Sequence, residues 1–288
     1  MRYGQSTTIG AVMALLLLIA QPALPSAAQN TPDCSPNAGT VVTQTFDSVA
    51  LGAQKTYNLY LPPNWCALDD LPLLVMLHGW SGDHTDWVSK GHIDQAADMM
   101  ILAGEIEPLI ILMPDGDNGF YVDQAAGDYE TYVVSELVGA VDAAYPTAAT
   151  RASRFIGGLS MGGYGALYLG LRYADLFSAI GAHSPALLGR GDDPPPWLYG
   201  ESLELFEERD VVSIIQREGW PADMRLFVDV GNADFLMLRL YDLFGALIHQ
   251  PQALVFQGHV WPGAHDWSYW SAHLPDYLRF YAGTNGQR

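Results

Sequence analysis

Lysine is nearly missing from this chain. Lys55 and Lys90 are the only two, and basic residues number 13 against 32 acidic ones, for a formal net charge of −19. No basic run occurs anywhere in the sequence. An envelope this acidic repels phosphate backbones and anionic lipid, which excludes nucleic acid as a partner. Long apolar runs are also lacking. The longest, Gly10 to Ala20, is shorter than the roughly 20 residues a membrane-spanning helix needs, so no stable membrane insertion is expected. Internal repeats, low-complexity blocks and dividing linkers are absent too. Charged residues make up 16% and hydrophobic ones 49% of the 288 residues, a balance that predicts a sizeable core and not disorder.

The short apolar run near the start suits the core of an export signal. Arg2 precedes it, and Ser26-Ala27-Ala28 offers small residues to a signal peptidase, so cleavage after Ala28 is expected. On that reading residues 1–28 are a signal peptide, residues 29–288 form a single domain, and the protein is secreted or periplasmic. Cys34 and Cys66 are the only cysteines. In an oxidising compartment one bridge between them is expected, the alternative being two inert thiols.

Two runs with the two-residue period of antiparallel strands lead the chain, Val41 to Phe46 and Lys55 to Leu61. Continuous apolar runs follow at Leu73–Leu77, Leu109–Met113, Arg154–Ile156, Phe177–Ala182, Arg225–Val230 and Ala253–Phe256, as in strands covered on both faces. Helical patterns at Tyr129–Tyr145, Tyr164–Tyr173 and Phe235–His249 lie between them. The alternation predicts an α/β fold with a mixed, mostly parallel sheet of about eight strands and helices on both faces. The less regular segment 185–221 is expected to cover part of one end of the sheet.

Ser160 sits in Gly157-Gly-Leu-Ser-Met-Gly-Gly163, between a predicted strand and a predicted helix. A Gly-x-Ser-x-Gly turn strains the serine so that its Oγ projects beyond the sheet edge beside a helix N-terminus. Such a nucleophile needs a base oriented by a carboxylate, in the order Ser, Asp or Glu, His. Asp234 follows the predicted strand Arg225–Val230 in a loop and is the preferred carboxylate; Asp229, inside that strand, is its competitor. His265 combines a late position, a glycine-bearing loop and an acid upstream, and is the expected base. His78 follows Leu73–Leu77 in a His-Gly turn of the kind that completes an oxyanion hole, here with the backbone N–H groups of Trp80 and Met161. His183 is expected to line the cleft without taking protons, and His259 to lie in a loop near the site.

Asp115-Gly-Asp-Asn-Gly119 opens like a calcium loop, but Ala126 stands where the bidentate Glu belongs, so no metal is expected there. The tryptophans at 80, 87, 197, 261, 267 and 270 can stack on an aromatic acyl group or a sugar, or serve only as packing.

The stretches LHGWSG (77–82), GGLSMGGYGAL (157–167), DVGNADFL (229–236) and PGAHDWSYW (262–270) resemble the esterase D-like branch of the α/β-hydrolases. That group includes S-formylglutathione hydrolases, feruloyl esterases and mycolyltransferases. The resemblance implies Ser160 as nucleophile, His265 as base, Asp234 as acid, and Trp80 and Met161 as the oxyanion hole. It also implies a serine ester hydrolase that needs no cofactor and acts on a small-molecule or glycan-linked ester. The alternative it leaves open is an acyltransferase of the mycolyltransferase type working through the same acyl-enzyme.

Overall fold

The computed structural model describes residues 32–189, 198, 202–250 and 255–284. The expected signal peptide lies outside them. Ten strands are described: β1 (Thr40–Ser48), β2 (Ala53–Leu61), β3 (Leu73–Leu77), β4 (Ile110–Pro114), β5 (Asp123–Gln124), β6 (Gly127–Asp128), β7 (Arg154–Leu159), β8 (Ala179–His183), β9 (Arg225–Gly231) and β10 (Val255–Trp261). Eight of them form one sheet in the order β1-β2-β4-β3-β7-β8-β9-β10, and β5 with β6 makes a separate two-stranded hairpin. β1 and β2 pair antiparallel, as do β2 and β4. From β4 across to β10 every pairing is parallel.

The helices are α1 (Asp86–Ser89), α2 (Ile93–Leu102), α3 (Val138–Ala144), α4 (Met161–Arg172), α5 (Leu203–Arg209), α6 (Val211–Glu218), α7 (Leu240–Ile248) and α8 (Trp267–Ala282). They cover both faces, and the strands alternate to match. Leu73, Val75 and Leu77 point into a core shared with α3, α4, α6 and α7. Leu74 and Met76 point the other way, into a second core built with α2 and α8. Successive side chains of a strand face opposite sides, so a continuous apolar run is what a doubly covered strand requires.

One expectation about the strands needs correction. The strand expected at Ala253–Phe256 is described from Val255 to Trp261, which puts His259 inside β10, stacked on Trp261 with centroids 4.4 Å apart, and not in a loop. Within the segment 185–221, α5 and α6 are separate helices. Asp210 ends α5 and caps α6, its carboxylate accepting from the Ser213 N–H at 2.8 Å. Cys34 and Cys66 are bridged, with Cα atoms 6.1 Å apart. Cys34 precedes β1 and Cys66 follows β2, so the bond ties together the two ends of the leading hairpin.

Candidate active site

The loops that follow β3, β7, β8, β9 and β10 all leave the carboxyl ends of parallel strands, the rim where open α/β sheets place ligands. Ser160 stands between β7 and α4 with φ 53° and ψ −116°, a conformation that costs a non-glycine residue on the order of 1–3 kcal/mol. Three backbone hydrogen bonds hold it there. Its N–H donates to the His183 carbonyl at 2.9 Å, and its own carbonyl accepts from Ala186 at 2.9 Å and Tyr164 at 3.0 Å. The flanking glycines are dictated by close approach. A Cβ on Gly158 would run into the Gly162 carbonyl, and one on Gly162 would stand 2.6 Å from the His78 oxygen.

The next two loops are zipped together. Asn232 N–H donates to the Trp261 carbonyl at 2.8 Å, Ala233 N–H to the Gly263 carbonyl at 2.8 Å, and Gly263 N–H to the Asn232 side chain at 3.2 Å. This pairing extends the β9–β10 contact past the strand ends and delivers Asp234 to His265. His265 Nδ1 lies 2.8 Å from Asp234 Oδ2, and His265 Nε2 lies 3.0 Å from Ser160 Oγ. With Nδ1 hydrogen-bonded to a carboxylate, Nε2 is the nitrogen available to the serine hydroxyl. The imidazole edge remains open to solvent, its side chain 15% exposed, while Asp234 is buried.

Burial alone would push the Asp234 carboxyl up. The hydrogen bond and charge of His265, the Leu236 N–H donated to Oδ1 at 2.8 Å, and the Ser184 hydroxyl outweigh it and hold the group below the usual carboxylate range. The competitor, Asp229, is fully buried inside β9 and accepts from the hydroxyls of Tyr269 at 2.7 Å and Tyr277 at 2.8 Å, with His183 Nδ1 at 2.6 Å. It is a satisfied interior carboxylate and does not reach His265. His183 is not on the cleft surface as expected. It ends the interior strand β8, is wholly buried, and stacks on Tyr277 with centroids 3.6 Å apart.

Met161 follows the serine directly, and Gly79 and Trp80 lie in the loop after β3, the strand paired with β7. Met161 opens α4, whose first N–H groups have no intrahelical acceptor. Gly79 lies so close that a Cβ there would be 3.4 Å from the Ser160 Cβ. His78 is buried. Its Nε2 accepts from the Gly116 N–H at 2.9 Å, which leaves Nδ1 to donate to the Gly79 carbonyl at 2.8 Å. Gly82 N–H donates to that same carbonyl at 3.1 Å. A trans peptide points its N–H opposite its C=O, so fixing the Gly79 oxygen fixes the direction of the Trp80 N–H.

Asp115 and Asp117, the head of the calcium-like loop, both pair with Lys55, at 3.3 and 2.8 Å. Their charges face an ammonium group. Among the described residues no cluster of His, Cys, Asp or Glu could hold a metal ion, and no helix is long and apolar enough to cross a membrane.

Sequence reasoning passed over Ser184. Its backbone is in the left-handed region at φ 46°, it is fully buried, it hydrogen-bonds Asp234, and its oxygen accepts from Trp270 Nε1 at 3.2 Å. The only signal was its place immediately after an apolar strand.

Residues 48–281 match the family model described as "Putative esterase". An acetyl esterase of Caldicellulosiruptor saccharolyticus is 27% identical over 227 residues, spanning 72% of this chain and 81% of that protein. An endo-1,4-beta-xylanase/feruloyl esterase of Xylanibacter ruminicola is 30% identical over 155 residues, which are 50% of this chain and 21% of the relative. A solved ferulic acid esterase superposes with a TM-score of 0.74 at 28% identity, covering 85% of this chain and 97% of its own. An S-formylglutathione hydrolase from Agrobacterium tumefaciens shares the fold, with a TM-score of 0.74 at 19% identity over 88% of this chain and 97% of its own. With the family model running through nearly all of the described residues, this chain belongs to that esterase family of α/β-hydrolases and is a serine esterase.

Proposed function

We propose that this serine esterase is exported, loses residues 1–28, and hydrolyses carboxylic esters through Ser160, His265 and Asp234. The observation that carries this reading is the pair of contacts at His265, 3.0 Å to Ser160 Oγ and 2.8 Å to Asp234 Oδ2, between residues 105 and 31 positions apart. His265 takes the hydroxyl proton as Oγ attacks the ester carbonyl, while Asp234 orients the imidazole and offsets its positive charge. The N–H groups of Trp80 and Met161 receive the oxyanion, each contributing on the order of 3 kcal/mol to the transition state. The tetrahedral adduct collapses, the alcohol departs with the proton from His265, and an acyl-enzyme remains for water to cleave. No step requires a metal or cofactor. The Cys34–Cys66 bridge supports export, since such bonds persist in oxidising compartments.

Replacing Ser160 with alanine tests this directly. Turnover of short p-nitrophenyl esters is expected to disappear while the circular dichroism spectrum stays unchanged. Turnover at the parent rate in Ser160→Ala would overturn the nucleophile assignment. Product that forms only when an acceptor alcohol is added would redirect the reading to acyl transfer.

A further inference from the structure

Two clefts are lined by residues of the loops that carry the candidate site, and their linings differ in kind. One, of about 400 Å³, lies on the Trp80 side and is walled partly by polar groups, among them Asp117, Asn118, Gln124 and Tyr129. The other, of about 500 Å³, is lined by Leu188, Phe235, Leu236, Leu238 and Arg239. It adjoins the base. The Phe235 ring packs 4.7 Å from the His265 ring, centroid to centroid, and Leu236 directly follows the loop that carries Asp234. Leu188, also in its lining, closely follows Ala186, whose N–H holds the Ser160 carbonyl. The Arg239 guanidinium is turned toward Asp242, 4.0 Å away.

We propose that this apolar cleft is the leaving-group subsite, and that the ester cleaved carries an apolar alcohol, alkyl or aryl, in place of a sugar. The proposal rests on the esterase reading above. In the tetrahedral adduct the carbon bears Ser160 Oγ, the oxyanion, the acyl carbon and the leaving oxygen. The oxyanion turns to Trp80 and Met161. The bond to the leaving oxygen breaks with its electron pair staying on that oxygen, which takes the proton from His265 Nε2. That oxygen therefore lies beside the imidazole, and whatever it carries extends along the surface next to His265. On the Phe235 side of the imidazole, the described side chains that line the cleft are three leucines and a phenylalanine, with one arginine. A sugar lodged against them would leave hydroxyls unpaired, whereas an alkyl chain or an aryl ring would gain from leaving water.

The test holds the acyl group constant and varies the alcohol: acetates of ethanol, butanol, hexanol and benzyl alcohol, with an acetylated methyl xyloside as the sugar ester. The expected result is that kcat/KM rises about two- to fourfold per added methylene, with the xyloside the slowest. Phe235 and Leu238 are 76% and 67% exposed, so truncating or charging them leaves the core untouched. In Phe235→Ala and Leu238→Asp the hexyl-to-ethyl ratio is expected to collapse toward unity. A flat series in the parent protein, a ratio unchanged in both variants, or a xyloside faster than hexyl acetate overturns the proposal. A protein that cleaves p-nitrophenyl esters yet shows no alcohol preference overturns the subsite alone. One that cleaves no ester at all overturns the esterase reading with it.

Discussion

Asp234 is pulled in opposite directions by burial and by its donors, and the donors win. Its folded-state pKa lies below the ordinary value of about 3.9, so the sign of its contribution is fixed. Above the unfolded value the group is ionised in both states and its stabilisation is complete. As pH falls, the unfolded chain takes up the proton first, and the contribution drains away until the folded group titrates as well. Melting temperatures measured downward from neutrality should therefore fall as the solution passes below about pH 4, and Asp234→Asn should lack that part of the decline. The same variant should lose up to about 10⁴-fold in kcat, because the imidazole loses both its orienting partner and its counter-charge.

Ser184 acts one step further back. Removing its hydroxyl takes a donor from Asp234 and leaves the Trp270 indole N–H without its acceptor. Ser184→Ala is expected to lower kcat about tenfold with KM nearly unchanged, the effect of one lost hydrogen bond to a charged group. An equal fall in both constants would argue against this positioning role. At this scale the sequence displayed residues that belong to a motif and concealed those that only touch one. Ser160, Asp234 and His265 could be read from glycine spacing and chain order. Ser184 and Phe235 could not, because their contacts depend on how two loops are zipped in space.

Among the elements, apolar strands were the most legible, since burial on both faces leaves an uninterrupted hydrophobic run. β3 was read to the residue. β10 was not. It is an edge strand whose side chains alternate with solvent, and its polar residues disguised it as a loop. α8 escaped because Pro275 lies in its interior, where proline ordinarily argues against a helix. The turn between β7 and α4 is the most constrained junction. Gly162→Ala would drive a methyl group against the carbonyls of Leu77 and His78, neither of which can move without shifting β3. Urea unfolding should show that variant destabilised by roughly 1–3 kcal/mol, with esterase activity lost well before the fold is.

Taken as a whole, the molecule places its chemistry and its crosslink apart along the sheet. Ser160 follows an interior strand, and His265 follows β10 at one edge. The hairpin closed by Cys34–Cys66 forms the opposite edge. A bridge spanning 32 residues restricts the unfolded chain by an amount worth about 3–4 kcal/mol. None of that restriction bears on how the imidazole meets the hydroxyl. The cystine therefore governs how long the catalyst survives and has no bearing on how fast it works. A reductant such as dithiothreitol should shorten its half-life on warming yet leave initial rates at room temperature intact, and a prompt loss of rate on reduction would contradict that separation.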